Sequence, residues 1–174
     1  AIVAAEHIGI TPAESIEALA AFQGVRRRLE VRGTVGGVTV IDDFAHHPTA
    51  IATTIAGLRA RMQAGSHPGG RLLAVLEPRS NTMRTGTLKA QLPASLQDAD
   101  LVFCYAGGID WDAQAALAPL GERVAVFRDM PALEAAILAA ARPGDQVLVM
   151  SNGGFGGIHG RLLSGLGSRE GNGK

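Results

Sequence analysis

The sequence contains almost no cysteine. Of its 174 residues only Cys104 is one, so no internal disulfide can form and the fold must rest on packing. Cys104 lies in the apolar run Leu101-Val-Phe-Cys-Tyr105, where a small buried core residue is expected, and a lone thiol suits a reducing compartment. Aromatics make up 4% of the chain while hydrophobic residues reach 47%, which leaves Ala, Leu, Val and Ile to fill the interior. Net charge is absent as well: sixteen basic residues balance sixteen acidic ones, which removes the electrostatic footprint of a dedicated nucleic-acid binder. No apolar run approaches the roughly 20 residues of a membrane span, and no signal peptide opens the chain. A soluble, cytoplasmic protein with neither nucleic-acid nor membrane partners is expected.

Two phosphate-binding signatures are also missing. No Gly-Lys pair is followed by Ser or Thr, so there is no P-loop. The dinucleotide pattern G-x-G-x-x-G fails too: Gly153-Gly154-Phe155-Gly156-Gly157 comes nearest, with His159 where its last glycine should be. Those glycines could still offer backbone N–H groups to an anion.

What is present is one pattern repeated three times. Val40-Ile-Asp-Asp-Phe-Ala-His-His-Pro-Thr-Ala50, Leu72-Leu-Ala-Val-Leu-Glu-Pro-Arg-Ser-Asn-Thr-Met83 and Gln146-Val-Leu-Val-Met-Ser-Asn-Gly-Gly-Phe-Gly-Gly157 each run from an apolar strand into polar chemistry. Open α/β sheets bind ligands at such strand ends, so one shared crevice is expected.

Around these runs, two short helices are expected in 1–21, the second opened by Thr11-Pro12. A hairpin follows over 29–35 and 38–42, turning at Gly36-Gly37. Strands at 72–76, 101–105, 124–127 and 147–150 alternate with helices at 48–62, 88–96, 113–120 and 132–141, and a last helix carries Ile158, Leu162, Leu163 and Leu166. This spacing predicts an α/β fold: a mainly parallel sheet with helices on both faces, preceded by a short hairpin. The tail 168–174 lacks apolar periodicity and is expected to be flexible. Because the chain opens at Ala1 directly in helical pattern, it reads as a piece of a longer protein.

The side chains at the three strand ends point to a polar, anionic ligand. One member each of Asp42-Asp43 and His46-His47 is expected to face the crevice, since neighbours on extended backbone point oppositely. A complete metal site from these residues is not expected; Asp43 accepting from ribose hydroxyls, with His46 or His47 near base or phosphate, is easier. Arg79 offers a fork for carboxylate or phosphate. The run Arg26-Arg27-Arg28 could simply be a solvated surface. Trp111 is expected to pack, and His7, His67 and His159 to lie on the surface or against helices.

Assembled in order, these motifs resemble the C-terminal domain of the Mur ligase family of cell-wall enzymes. The resemblance rests on 22–30, Asp42 to Ile51, Glu77 to Met83 and Met150 to Ile158, and covers most of 22–166. Its last two motifs differ from those of the branch that adds L-alanine to UDP-N-acetylmuramate. The resemblance implies a Rossmann-like domain at 22–167, with 1–21 closing a central ATPase domain. It implies an intact enzyme that uses ATP and Mg²⁺ to phosphorylate the carboxylate of UDP-N-acetylmuramate and joins it to the recycled tripeptide L-Ala-γ-D-Glu-meso-diaminopimelate, in peptidoglycan recycling. Arg28 matches the family's arginine near the transferred phosphoryl group, while Asp43, His46 and His47 match its nucleotide loop. Glu77, Arg79, Ser80, Asn81 and Thr82 match the loop that holds the incoming amine, completed by Asn152, Gly153 and Gly154. The partners implied are these small molecules and the chain's own central and N-terminal domains. Within the family the branch that adds L-alanine to UDP-N-acetylmuramate stays open as an alternative, and two other classes do as well: a metal-dependent phosphoesterase using Asp43, His46 and His47, and a non-catalytic nucleotide- or peptide-binding module.

Overall fold

The computed structural model describes residues 1–22, 25–65 and 69–171; part of the 22–30 connector and His67 lie outside them. Helices α1 (Ile2–Glu6) and α2 (Pro12–Ala20) open the chain. At α2 the Thr11 hydroxyl accepts from the Glu14 N–H, and the Glu14 carboxylate accepts from the Thr11 N–H. This reciprocal cap explains why the helix starts there. Val3, Ile16 and Leu19 on these helices are exposed, as are Ile8 in the turn between them and Phe22 just beyond them.

Strands β1 (Glu30–Val35) and β2 (Val38–Asp43) pair antiparallel. Gly36 and Gly37, at φ 59° and 71°, supply the left-handed turn that a two-residue hairpin requires. Four further strands follow: β3 (Leu72–Leu76), β4 (Leu101–Tyr105), β5 (Val124–Phe127) and β6 (Gln146–Met150). The hairpin does more than precede the sheet. β2 pairs parallel with β6, giving a six-stranded order β1-β2-β6-β3-β4-β5 in which only β1 is antiparallel.

Apolar strands buried on both faces sort their side chains by alternation. Ile41, Leu72, Ala74, Leu76, Cys104 and Met150 pack toward one face, with Ile51, Ile55 and Leu58 of α3 (Pro48–Ala64). Val40, Leu73, Val75, Phe103 and Val149 pack toward the other. There they meet Leu133 and Ile137 of α7 (Met130–Ala140) and Ile158 and Leu162 of α8 (Ile158–Gly171). Burial pushes the Cys104 thiol up to about 12, so it is an inert core residue.

Three expected elements differ. The helix expected over 88–96 breaks into a 3-10 turn (Lys89–Gln91) and α5 (Leu92–Leu96), because Pro93 fits only a first helical turn. A separate short helix, α4 (Asn81–Arg84), precedes them. The next, α6 (Ala113–Leu117), passes into 3-10 structure near Pro119, with Gly121 at φ 62°. The expected flexible tail 168–174 differs in its first part: α8 continues through Gly171, with Arg169 donating to the Leu138 carbonyl on α7, while 172–174 lie outside the described residues.

One ion pair ties the starts of two central strands together. Buried Asp145, just before β6, accepts from Arg71 Nε at 3.0 Å and Nη2 at 2.6 Å and from the Arg142 N–H at 2.8 Å; this pairing holds the Arg71 pKa above its usual value. Removing one partner of such a pair strands the other without its counter-charge. Asp145→Ala is therefore expected to cost about 3 kcal/mol in urea unfolding, and a loss below about 1 kcal/mol would show the pair to be incidental.

Candidate functional site

The parallel register brings the three polar strand ends into one row. Asp43 is level with Met150, and Met150 with Leu76, so Phe44, Ser151 and Glu77 stand side by side beyond the sheet. Ladder bonds extend one residue further: the Ser151 N–H donates to the Asp43 carbonyl at 3.2 Å and the Glu77 N–H to the Met150 carbonyl at 3.1 Å. From β3 the sheet grows to β4 on one side and β6 on the other, which makes this the switch point where α/β sheets bind ligands.

Asp42 and Asp43 do point oppositely, but each turns toward a covering helix instead of the crevice. Asp43 is 2% exposed. Its Oδ2 accepts from the Leu29 N–H at 2.8 Å, while Oδ1 accepts from the Ala45 N–H at 2.8 Å and from the Thr54 hydroxyl of α3 at 3.3 Å. A carboxylate so occupied anchors its loop. Asp42 meets Arg27 at 3.3 Å and, on the opposite side, His159 of α8 at 3.3 Å.

The arginine run divides its work. Arg27 turns inward: its Nε reaches Asp42, and its Nη2 donates to the carbonyls of Ser151 at 2.5 Å and Gly153 at 2.9 Å. Arg28 projects outward, with a side chain 58% exposed and Nη1 4.0 Å from Asp43. Both guanidiniums lie against the Phe44 ring, at 5.1 and 5.8 Å from its centroid. His46 is half-buried, its Nδ1 2.9 Å from the Phe44 carbonyl. His47 is exposed and caps α3 by accepting from the Thr49 N–H.

At the other end of the row, Glu77 accepts a 2.5 Å bond from the Ser151 hydroxyl, which in turn accepts from the Gly153 N–H at 2.9 Å. Arg79 lies across Gly153 so closely that a Cβ there would overlap its side chain. Ser80 is the N-cap of α4, and Asn81 and Thr82 are exposed on its first turn. Among the described residues, buried Asn152 Oδ1 has no hydrogen-bond partner, and Gly154 is exposed beside it. A cavity of 340 Å³ opens here, walled by Glu77, Arg79, Arg84, Tyr105, Gly107 and Gly108. Arg84, Tyr105, Gly107 and Gly108 are not among the expected site residues. The strand-end rule could have found the last three, since β4 is also a neighbour of β3. Trp111 packs as expected, donating to the Met83 carbonyl at 2.7 Å.

Among the described residues, no three His, Cys, Asp or Glu gather in a way that could hold a metal ion, and no helix is long and apolar enough to cross a membrane.

The family model described as Mur ligase, glutamate ligase domain, matches residues 27–153. Over 167 residues the chain is 48% identical to the UDP-N-acetylmuramate–L-alanyl-γ-D-glutamyl-meso-2,6-diaminoheptandioate ligase of Escherichia coli K12, covering 95% of this chain and 36% of that protein. A crystallised domain of a proposed ligase of the same description from Haemophilus ducreyi 35000HP is 47% identical, with TM-score 0.67, covering 80% of this chain and 99% of that one. The murein peptide ligase structure from Psychrobacter arcticus 273-4 is 39% identical, with TM-score 0.73, covering 95% and 35%. The chain thus spans about a third of the length of the curated relatives it matches.

His159 gives the site a pH dependence. Burial, the larger cause, together with Arg32 and Arg27, lowers its pKa from the usual 6.5 against the opposing pull of Asp42. The unfolded chain therefore takes up this proton first as pH falls, so the stabilisation is full above pH 6.5 and is lost below it. Urea unfolding at pH 7.5 and 5.5 should show a smaller pH-dependent loss in His159→Gln than in the parent; equal losses would assign the dependence to other groups.

Proposed function

We propose an amide-forming role on one premise: the chain belongs to the Mur ligase family, as that family's C-terminal domain. In a longer protein carrying the P-loop, it would present the amine component to an activated carboxylate. ATP would phosphorylate the carboxylate of UDP-N-acetylmuramate. The terminal amine of L-Ala-γ-D-Glu-meso-diaminopimelate would then attack that carbonyl carbon, the C–O bond to phosphate would break, and phosphate would leave as the amine gives up its proton.

The observation that carries this reading is the row formed by three strand ends, with an outward cation at one end and an arginine-lined cavity at the other. Arg28 is assigned to the phosphoryl charge that builds up in transfer; its guanidinium rests near Asp43 and the Phe44 ring yet its side chain is mostly exposed, on the side where a neighbouring domain's nucleotide would lie. His46 and His47 border the same nucleotide side. Asp43 holds this loop in place from behind. Arg79, lying over Gly153, is assigned to a peptide carboxylate, with Glu77 on the same cavity wall; Asn152, Gly153, Gly154, Ser80, Asn81 and Thr82 are assigned to the peptide contacts around it. Magnesium does not fit this chain's own side chains, since both adjacent aspartates are committed internally; its ligands are assigned to the nucleotide and the ATPase domain. The same geometry weighs against a phosphoesterase. The exposed apolar side chains from Val3 to Phe22 support placing 1–21 against a neighbouring domain.

The test is ligation kinetics of the full-length protein with the tripeptide and with L-alanine. Arg79→Ala is expected to raise the tripeptide KM roughly 10- to 100-fold, as loss of a charged hydrogen-bonded pair implies, and to leave the ATP KM within about twofold. Equal effects on both KM values would count against the clamp, and preference for L-alanine would reassign the chain to the alanine-adding branch.

A further inference from the structure

The cavity holds a second arginine, and its setting differs from that of the first. Arg84 closes α4, and both its side chain and its backbone are tied to the loop after β4. Its Nε donates to the Gly108 carbonyl at 3.1 Å, and its own carbonyl accepts from the Asp110 N–H at 3.4 Å. The helix that carries it is anchored in turn, with Met83 buried and its carbonyl accepting from the buried Trp111 indole. Among the described residues, no hydrogen bond engages the Nη atoms of Arg84. A guanidinium held by its Nε, with its terminal nitrogens unspent at a cavity wall, is pre-organised to receive an anion.

Arg79 enters the same cavity from the β3 loop, while Tyr105 lines it from the end of β4 and is itself held against buried Phe155, with ring centroids 5.9 Å apart. Two guanidiniums thus share the space with a single carboxylate, Glu77, whose Oε2 is already occupied by Ser151. The excess is positive. At 340 Å³ the cavity is at the small end of ligand sites, suited to the end of a peptide more than to a whole one.

We propose that Arg84 and Tyr105 form a specificity-determining subsite that receives a second carboxylate, so that the cavity selects a peptide whose last residue carries two carboxylates, one for Arg79 and one for Arg84. This rests on the ligase reading above and extends it from the clamp to the residue that the clamp selects. A terminal residue without that second carboxylate would set the ligand against the Arg84 guanidinium with no counter-charge, and that is the source of the discrimination.

The experiment is steady-state ligation by the full-length protein with three acceptors: L-Ala-γ-D-Glu-meso-diaminopimelate, the same tripeptide ending in L-Lys, and the dipeptide L-Ala-γ-D-Glu. Arg84→Gln should raise the KM of the diaminopimelate tripeptide about 10- to 100-fold while kcat and the ATP KM stay unchanged. It should also narrow the preference over the Lys tripeptide and leave the dipeptide unaffected. Arg84→Lys, which keeps the charge but loses the fork, should fall between, and the unfolding midpoint of each variant shows whether it is folded. If the parent ligates the tripeptide and folded Arg84→Gln handles all three acceptors as the parent does, the subsite is wrong and the ligase reading stands. A parent that ligates none of them overturns both.

Discussion

The Arg27 guanidinium is the contact on which the site depends. It joins the connector ahead of the sheet to the end of β2 through Asp42, and to the glycine turn beyond β6 through the carbonyls of Ser151 and Gly153. The backbone around it is strained to allow this: Arg27 and Leu29 both have positive φ, 57° and 46°, at a cost of about 1 kcal/mol or more each. Offsetting contacts are close by, since the Arg27 N–H donates to Glu30 at 2.7 Å and the Leu29 N–H to Asp43 at 2.8 Å. Carboxylates that look like ligand groups in the sequence therefore serve to hold a turn. That turn aims Arg28 away from the sheet.

The row of strand ends follows from topology. Because β6 inserts between β2 and β3, loops far apart in sequence meet with their backbones in register, and each can contribute one kind of chemistry. The connector ahead of β1 brings an outward cation beside the two histidines of the β2 loop, the β6 turn offers backbone in close approach, and the β3 loop offers Arg79. Close packing of Arg79 on Gly153 couples the second and third of these, so a side chain at 153 would displace the clamp.

Much of this was legible in the sequence, for physical reasons. Strands 72–76, 101–105 and 124–127 have the expected bounds, since short apolar runs between turn residues have few alternatives. The Gly36-Gly37 turn and the Thr11 cap are local chemistry, readable at short range. Strand order was not legible, because pairing across the sheet is non-local. Nor could three adjacent arginines be told apart, since only the tertiary turn sends Arg27 inward and Arg28 outward. Asp43 shows the same limit: alternation predicted that it would face away from Asp42, but not that α3 would cover it. The extension of α8 depends on Arg169 reaching α7, a contact invisible in the local pattern.

The claim on which the rest turns is that the ends of β6, β3 and β4 form one peptide-binding crevice. The direct measurement is amide chemical-shift mapping of the ¹⁵N-labelled chain titrated with L-Ala-γ-D-Glu-meso-diaminopimelate. Shifts concentrated in 77–84, 105–108 and 151–154 are predicted, with 1–22 unaffected. Saturable shifts centred elsewhere, or none at millimolar peptide, would contradict it.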